Sequence, residues 1–163
     1  MISEIELAYR CSEVPVVAIT GTNGKSTTTE LVSRVLNAGG LATVACGNIG
    51  KPYSDVVREA REYPLITLEV SSFQLEAIQD FRPRVAVYLN FSPDHLDRYP
   101  DLESYKKAKD RIFENQIEED HAVVNVDLDF PKLRAKRTSI SGVNPAADYH
   151  YIKAGWWLRA RKF

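Results

Sequence analysis

Apolar residues along this chain fall into two alternating patterns. Short, nearly continuous runs occur at Val16–Thr20, Leu41–Cys46, Leu65–Val70, Arg84–Asn90 and His121–Val126. Val16, Val17 and Ile19 are β-branched, and L-I-T-L-E-V (65–70) is apolar nearly throughout, as a strand covered on both faces of a parallel sheet would be. Between the runs the apolar positions take helical spacing. Leu31, Val32, Val35 and Leu36 mark a helix over Ser26–Asn37, stopped by Gly39-Gly40. Val56, Val57 and Ala60 mark an inward face over Tyr53–Glu62. A short helix is predicted from Phe73 to Gln79, a longer one over Leu102–Asn115, and a lead-in helix over Ser3–Cys11. Strands alternating with helices predict an α/β fold: three layers of the P-loop type, with a mostly parallel sheet flanked by helices on both faces. The end of the chain reads differently. Thr138–Gly142 is a short strand candidate, and Asp148–Arg161 predicts a C-terminal β-hairpin turning at Ala154-Gly155, its Tyr149, Tyr151, Trp156 and Trp157 packing rather than binding.

Composition narrows the classes. The 163 residues, 44% hydrophobic and 26% charged, suit one globular domain, and a net charge of −1 gives no prior for nucleic acid or a membrane surface. The balance hides an asymmetry: residues 131–163 carry eight Lys/Arg against the single acid Asp148. A basic tail can bind polyanions, but a hairpin with a solvated face accounts for it as well. Cys11 and Cys46 are far apart and lack C-x-x-C spacing, so neither a disulfide framework nor a zinc site is expected. With no long apolar span and an acidic N-terminus without an apolar leader core, the expected location is the cytoplasm.

The first candidate chemistry sits where a strand meets a helix. Val16–Thr27 reads V-V-A-I-T-G-T-N-G-K-S-T: an apolar run, a glycine loop, then Lys25 and hydroxyl residues opening a helix. A helix N-terminus offers unpaired N–H groups and a partial positive charge to an anion, Lys25 can reach terminal phosphates, and the Ser26 hydroxyl can ligate Mg²⁺. The usual pattern G-x-x-x-x-G-K-[ST] places glycine where Ile19 stands, so the match rests on Gly21, Gly24, Lys25 and Ser26. The competing reading is a plain turn with no ligand.

In open parallel sheets ligands bind beyond the carboxyl ends of the strands. Thr20, Asn48, Glu69, Ser71 and Asn90–His95 fall at or just after such ends and are expected to share one rim. Glu69 ends an apolar run, where a charge needs a partner or a metal. His95 shares a polar loop with Asp94, Asp97 and Arg98; a solvated or capping histidine is the ordinary reading, as it is for His121 and His150. On a helical wheel Leu102, Tyr105, Ala108, Ile112 and Phe113 point inward and Lys109 falls among them. Two readings stand for that lysine: it snorkels along apolar neighbours, or it is desolvated, with a depressed pKa and special chemistry.

G-T-N-G-K-S-T (21–27), G-N-I-G (47–50), L-E-V-S-S-F-Q-L-E (68–76), N-F-S-P-D-H-L-D-R-Y (90–99) and K-A-K-D-R-I-F-E-N (107–115) together resemble, in order, the central ATP-binding domain of the Mur ligases. The resemblance covers most of the chain and implies residues 1–14 as a lead-in and 15–163 as that domain, C-terminally incomplete and without the family's N-terminal UDP-binding and C-terminal domains. It implies an ADP-forming amide ligase of peptidoglycan synthesis that works through an acyl phosphate. S-S-F-Q-L-E and D-H-L-D-R-Y are most similar to the member that joins D-glutamate to UDP-N-acetylmuramoyl-L-alanine, which makes those two molecules the expected partners of an intact enzyme. Gly21, Thr22, Asn23, Gly24, Lys25, Ser26 and Thr27 would wrap the phosphates of ATP. Ser26, Glu69, His95 and Lys109 match positions of two Mg²⁺ sites, Lys109 as a CO₂-derived carbamate. Lys25, His95 and Lys109 match positions that act on the reaction, and Asn48, Ser71 and Gln74 match contacts to the UDP-sugar. A fragment of this extent is expected to bind nucleotide weakly and not to ligate alone. The alternatives are a related ligase acting on folate, and a nucleotide-binding module without catalysis.

Overall fold

The structure is a computed structural model that describes residues 1–59, 63–94, 98–130 and 132–150. Its centre is a seven-stranded sheet: β1 (Val16–Thr20), β2 (Thr43–Gly47), β3 (Leu65–Glu69), β4 (Val85–Tyr88), β5 (His121–Asn125), β6 (Lys136–Ser141) and β7 (Tyr149–His150). The order is β2-β3-β1-β4-β5-β6-β7, and every pair is parallel. The strands with the most continuous apolar runs, β1, β3 and β4, occupy or flank the centre, where both faces are covered. The register pairs Ile19 with Glu69, Gly47 with Glu69 and Thr20 with Tyr88, so β1, β2, β3 and β4 end at a common level.

The helices are α1 (Glu4–Arg10), α2 (Lys25–Ala38), α3 (Tyr53–Glu59), α4 (Ser72–Leu75) and α5 (Leu102–Asp110), the last continued by a 3₁₀ turn at Arg111–Phe113. They are shared unequally between the faces. The larger core packs Ile5 and Ala8 of α1, Tyr53 and Val56 of α3, Leu75 of α4, and Ile112 and Phe113 against Val16, Ala18, Ile66, Leu68, Ala86, Tyr88, Ala122 and Val124. The opposite face presents Val17, Ile19 and Val87, and there α2 contributes Val32.

That asymmetry corrects the sequence reading of α2. Leu31 and Val35 were expected to help form an apolar face, yet they are 57% and 62% exposed, while Thr29 and Ser33 are buried against the sheet. Small side chains there admit the helix close to the strands: Ser33 and Asn37 both reach the Thr43 carbonyl of β2. In α5 and the 3₁₀ turn that continues it the inward stripe holds for Tyr105, Ala108, Ile112 and Phe113, but Leu102 at the first turn is exposed. The helix expected over Phe73–Gln79 is the single turn α4. The hairpin expected over Asp148–Arg161 falls largely on 151–163, outside the described residues; Tyr149–His150 pair in parallel with Ile140–Ser141.

The lead-in helix is tied down by acids rather than only by apolar contact. Glu6 is fully buried, and its carboxylate accepts the backbone N–H groups of Gln79 (2.8 Å), Asp80 (3.0 Å) and Phe81 (2.9 Å) and the Arg10 guanidinium (2.7 Å). Burial alone would raise its pKa, but these donors outweigh it and hold the group below the ordinary value of 4.5. Glu4 accepts the N–H of Ser54 at the start of α3 (2.6 Å). Because a depressed carboxylate stabilises above its unfolded pKa, Glu6's contribution is complete above about pH 4.5 and fades as pH falls through its lower folded value. Glu6→Gln is expected to cost about 1–3 kcal/mol at pH 7 and to flatten the acid side of the stability curve, checked by urea unfolding at pH 7 and pH 4.

Candidate active site

The turn from β1 into α2 builds a cradle of backbone donors. Gly24 caps α2 at φ 80°, a left-handed conformation that glycine adopts without Cβ strain, and no side chain caps the helix. The first N–H groups of α2 therefore point outward beyond the strand end, with the exposed Ser26 and Thr27 beside them. The loop is held from the β4 side. Asn90 accepts the Asn23 N–H on Oδ1 and donates Nδ2 to the Asn23 carbonyl, both at 2.9 Å, and its own carbonyl accepts the Thr22 N–H (3.1 Å). Ser92 adds an N–H to Thr22 Oγ1 (3.0 Å). The pairing of Asn90 with the loop was not visible in the sequence beyond an asparagine closing a buried strand.

Two lysines converge on this loop. Lys25 Nζ donates to the Thr22 carbonyl and Lys109 Nζ to the Gly21 carbonyl, each at 2.9 Å. Lys109 is 2% exposed, and its ammonium lies 4.7 Å from the centre of the Tyr105 ring. Desolvation, followed by the like charge of Lys25, depresses its pKa to about 8, with Asp94 opposing. The desolvated reading of this lysine is the one realised.

Glu69, also 2% exposed, closes β3 beside the loop. Its Oε1 accepts Asn48 Nδ2 (2.8 Å), and Asn48 N–H bonds the Glu69 carbonyl (3.0 Å). Among the described residues its Oε2 is buried without a hydrogen-bond partner, as is Thr20 Oγ1 at the adjacent end of β1. Such orphan oxygens are costly unless something is to be bound. Ser71 and Gln74, just past β3, form a capping box: Ser71 N–H reaches Gln74 Oε1 (3.0 Å), and Gln74 N–H reaches Ser71 Oγ (3.3 Å). The structure thus brings Gly21–Thr27, Asn48, Glu69, Ser71, Gln74 and Lys109 to one rim. His95, with Leu96 and Asp97, lies outside the described residues. Beyond it, Arg98 and Tyr99 are fastened to α4: Arg98 pairs with Glu76 (2.9 Å) and covers the Phe73 ring (4.7 Å), while Tyr99 Oη donates to the other oxygen of Glu76.

This strand–loop–helix cradle belongs to a stretch, residues 19–160, that matches a family model described as the Mur ligase middle domain. The chain belongs to that family. It is 54% identical over 127 residues to the UDP-N-acetylmuramoylalanine--D-glutamate ligase of Geobacter metallireducens, covering 78% of this chain and 28% of that protein. The chain thus spans 28% of the length of this curated relative. Among solved structures it is similar to UDP-N-acetylmuramoyl-L-alanyl-D-glutamate--2,6-diaminopimelate ligase, with a TM-score of 0.66 and 24% identity over 90% of this chain and 36% of that one. It is also similar to the MurF ligase from Thermotoga maritima in complex with ADP, with a TM-score of 0.65 and 22% identity over 84% of this chain and 35% of that one. At those identities the likeness is one of fold.

Does the rim of this Mur ligase domain fit Mg²⁺? The ion takes oxygen ligands in octahedral geometry, retains water, and usually binds one or two carboxylates together with substrate phosphates. Glu69 Oε2 and the Ser26 hydroxyl fit that donor set, and the orphaned state of Oε2 is the supporting observation. No group of three or more His, Cys, Asp or Glu able to hold a metal occurs among the described residues. Nor, among those residues, is any helix long and apolar enough to cross a membrane.

Gly47 makes the approach of Asn48 to Glu69 possible. Its φ is 105°, and a Cβ there would overlap the Glu69 carbonyl and come within 2.6 Å of Leu68 Cδ1. Gly47→Ala is expected to destabilise the domain by about 2–4 kcal/mol, through the strained φ and the clash with β3 backbone, and thermal unfolding checks it.

Proposed function

We propose that this domain binds Mg²⁺-ATP on Gly21–Thr27 and serves a cytoplasmic ligase that joins D-glutamate to UDP-N-acetylmuramoyl-L-alanine in peptidoglycan synthesis. The observation that carries the nucleotide assignment is the uncapped N-terminus of α2, flanked by Lys25, Lys109 and the unpartnered Glu69 Oε2. The choice of substrates is supported by the name of the 54%-identical relative.

In this reading the acceptor's carboxylate oxygen attacks the γ-phosphorus of ATP, the bond to the bridging oxygen breaks, and ADP leaves. The amine nitrogen of D-glutamate then attacks the carbonyl carbon of the acyl phosphate. Phosphate departs with the electron pair, and the nitrogen loses a proton. The domain supplies placement and charge. N–H groups of Gly24–Ser26 bind phosphate oxygens, Lys25 Nζ moves from the Thr22 carbonyl to the terminal phosphates, and Ser26 and Glu69 would hold Mg²⁺. Mg²⁺, when bound, neutralises the phosphate charge. Asn48, Ser71 and Gln74 line the acceptor side, and the capping box engages Gln74 through Oε1 and its N–H rather than through Nε2.

Lys109 supports a catalytic rather than a purely nucleotide-binding role. A buried amine whose pKa is about 8 has an appreciable neutral fraction near physiological pH. Its nitrogen can attack CO₂, lose a proton and become a carbamate, and with His95 that anion would hold a second Mg²⁺. The test is ADP formation by the intact ligase that contains this stretch. Turnover requiring both UDP-N-acetylmuramoyl-L-alanine and D-glutamate is expected; turnover with a folate acceptor, or none with any acceptor, would overturn the reading.

A further inference from the structure

We infer that Asn48 is a positioning residue that sets the carboxylate of Glu69 for metal binding, before and independently of any acceptor. The inference rests on the Mg²⁺ reading of Glu69 and assigns Asn48 a task that precedes substrate contact.

The argument starts from what Glu69 lacks. It is nearly fully buried at the end of an apolar strand, and of its two oxygens only Oε1 has a hydrogen-bond partner among the described residues. That partner is the Asn48 amide, which donates at 2.8 Å from the loop after β2. The loop is itself fixed to β3 by the Asn48 N–H, which bonds the Glu69 main-chain carbonyl at 3.0 Å, and is closed on itself by the Gly47 N–H, which bonds the Lys51 carbonyl at 2.9 Å. Two bonds between the same two residues, one through backbone and one through side chains, hold Asn48 in register with the carboxylate. Gly47 permits the close approach that both bonds require. A carboxylate fixed at Oε1 cannot rotate freely about its terminal torsion, so Oε2 is left directed away from the asparagine.

The same bond limits what Asn48 can offer an acceptor. With Nδ2 given to Glu69, its remaining side-chain group is the carbonyl Oδ1, which makes no hydrogen bond among the described residues. Asn48 is exposed at the rim, so Oδ1 can accept from a ligand while Nδ2 keeps its hold. Removing partners that orient a metal ligand commonly weakens metal affinity by about 10–100-fold.

The experiment titrates Mn²⁺ into the ADP-saturated chain without acceptor, following free Mn²⁺ by its paramagnetic resonance signal. Wild type, Asn48→Ala, Glu69→Gln and the double variant form a cycle. Asn48→Ala is expected to raise the Mn²⁺ dissociation constant about 10-fold, Glu69→Gln to raise it further, and the double variant to be no worse than Glu69→Gln alone. Unchanged Mn²⁺ affinity in Asn48→Ala, or additivity with Glu69→Gln, would overturn the positioning role and leave Asn48 a substrate contact. Unchanged affinity in Glu69→Gln, or no Mn²⁺ uptake by wild type, would instead overturn the metal reading beneath it. Should Asn48→Ala fail to fold, Asn48→Leu, which keeps the backbone bond and the bulk but has no donor, replaces it in the cycle.

Discussion

Lys109→Met is expected to abolish ligation by the intact enzyme while making the fold more stable at neutral pH. The two effects share one cause. Lys109 holds its ammonium almost out of solvent on α5, under Tyr105 and against the Gly21 carbonyl, with Lys25 nearby. Its pKa falls from 10.5 to about 8, which corresponds to about 3 kcal/mol disfavouring the charged folded state. Well below pH 8 both folded and unfolded chains carry the proton and the penalty is felt in full; near pH 7 most of it remains. Between about pH 8 and 10.5 the unfolded chain binds more protons than the folded one, so wild-type stability rises with pH. Methionine fills similar space without charge but loses the bond to Gly21 and leaves that carbonyl short of a partner, which returns about 1–2 kcal/mol. A net gain of about 1–2 kcal/mol at pH 7 remains, shrinking toward pH 10. Urea unfolding of both proteins at pH 7 and pH 9.5 reads the difference. A variant less stable than wild type at pH 7 would mean that the ammonium is compensated in place, and the case for a reactive neutral amine would fail with it. Labelling with ¹³CO₂ provides the chemical counterpart: a carbamate resonance is expected in wild type and should be absent from the variant.

What could be read from the sequence divides along physical lines. Strand positions followed from runs such as Leu65–Val70 because a buried parallel strand must be apolar on both faces, and the common level of the strand ends followed from the βα alternation. The placement of Lys109 was legible because it lies within the α-helical span Leu102–Asp110, on the same face as the buried Tyr105 and Ala108. Partnerships were less accessible. Glu6 reads as one more acid on a charged helix, yet it is fully buried because three consecutive N–H groups of the 79–81 turn require an acceptor. No local pattern announces an interaction across more than seventy residues. Asn48 invited a ligand-contact reading for the same reason: its bond to Glu69 depends on β2 and β3 being neighbours, which is a property of strand order. The exposed Leu31 and Val35 show the limit of periodicity itself, since apolar spacing marks a helix without saying which face the sheet will take.

Lys25→Ala is expected to cost little stability and most of the nucleotide affinity. Lys25 is half-buried at the first helical position, and among the described residues its side chain makes one hydrogen bond, from Nζ to the Thr22 carbonyl. Alanine is the better helix former, and the Thr22 carbonyl can be solvated, so the change in unfolding free energy should stay within about 1 kcal/mol. Binding is another matter. A charge-assisted bond to a phosphate contributes about 1.5–3 kcal/mol, so its loss should weaken Mg²⁺-ATP and Mg²⁺-ADP binding about 10–100-fold. In the intact ligase the loss in turnover should be larger, about 10³-fold, because the charge shared among the oxygens of the transferring group is greatest in the transition state. Lys107→Ala, on the exposed side of α5, is the control and should change neither quantity. Calorimetry on the three proteins reads affinity, and urea unfolding confirms that the fold is retained. Equal affinity in wild type and Lys25→Ala would mean that the lysine's bond to Thr22 is its whole role, a brace on the loop. The converging features of the rim would then need an anion held by backbone N–H groups alone. The expected contrast, a small effect on folding and a large one on binding, follows from a lysine whose ammonium, among the described residues, hydrogen-bonds one carbonyl of the loop that precedes it.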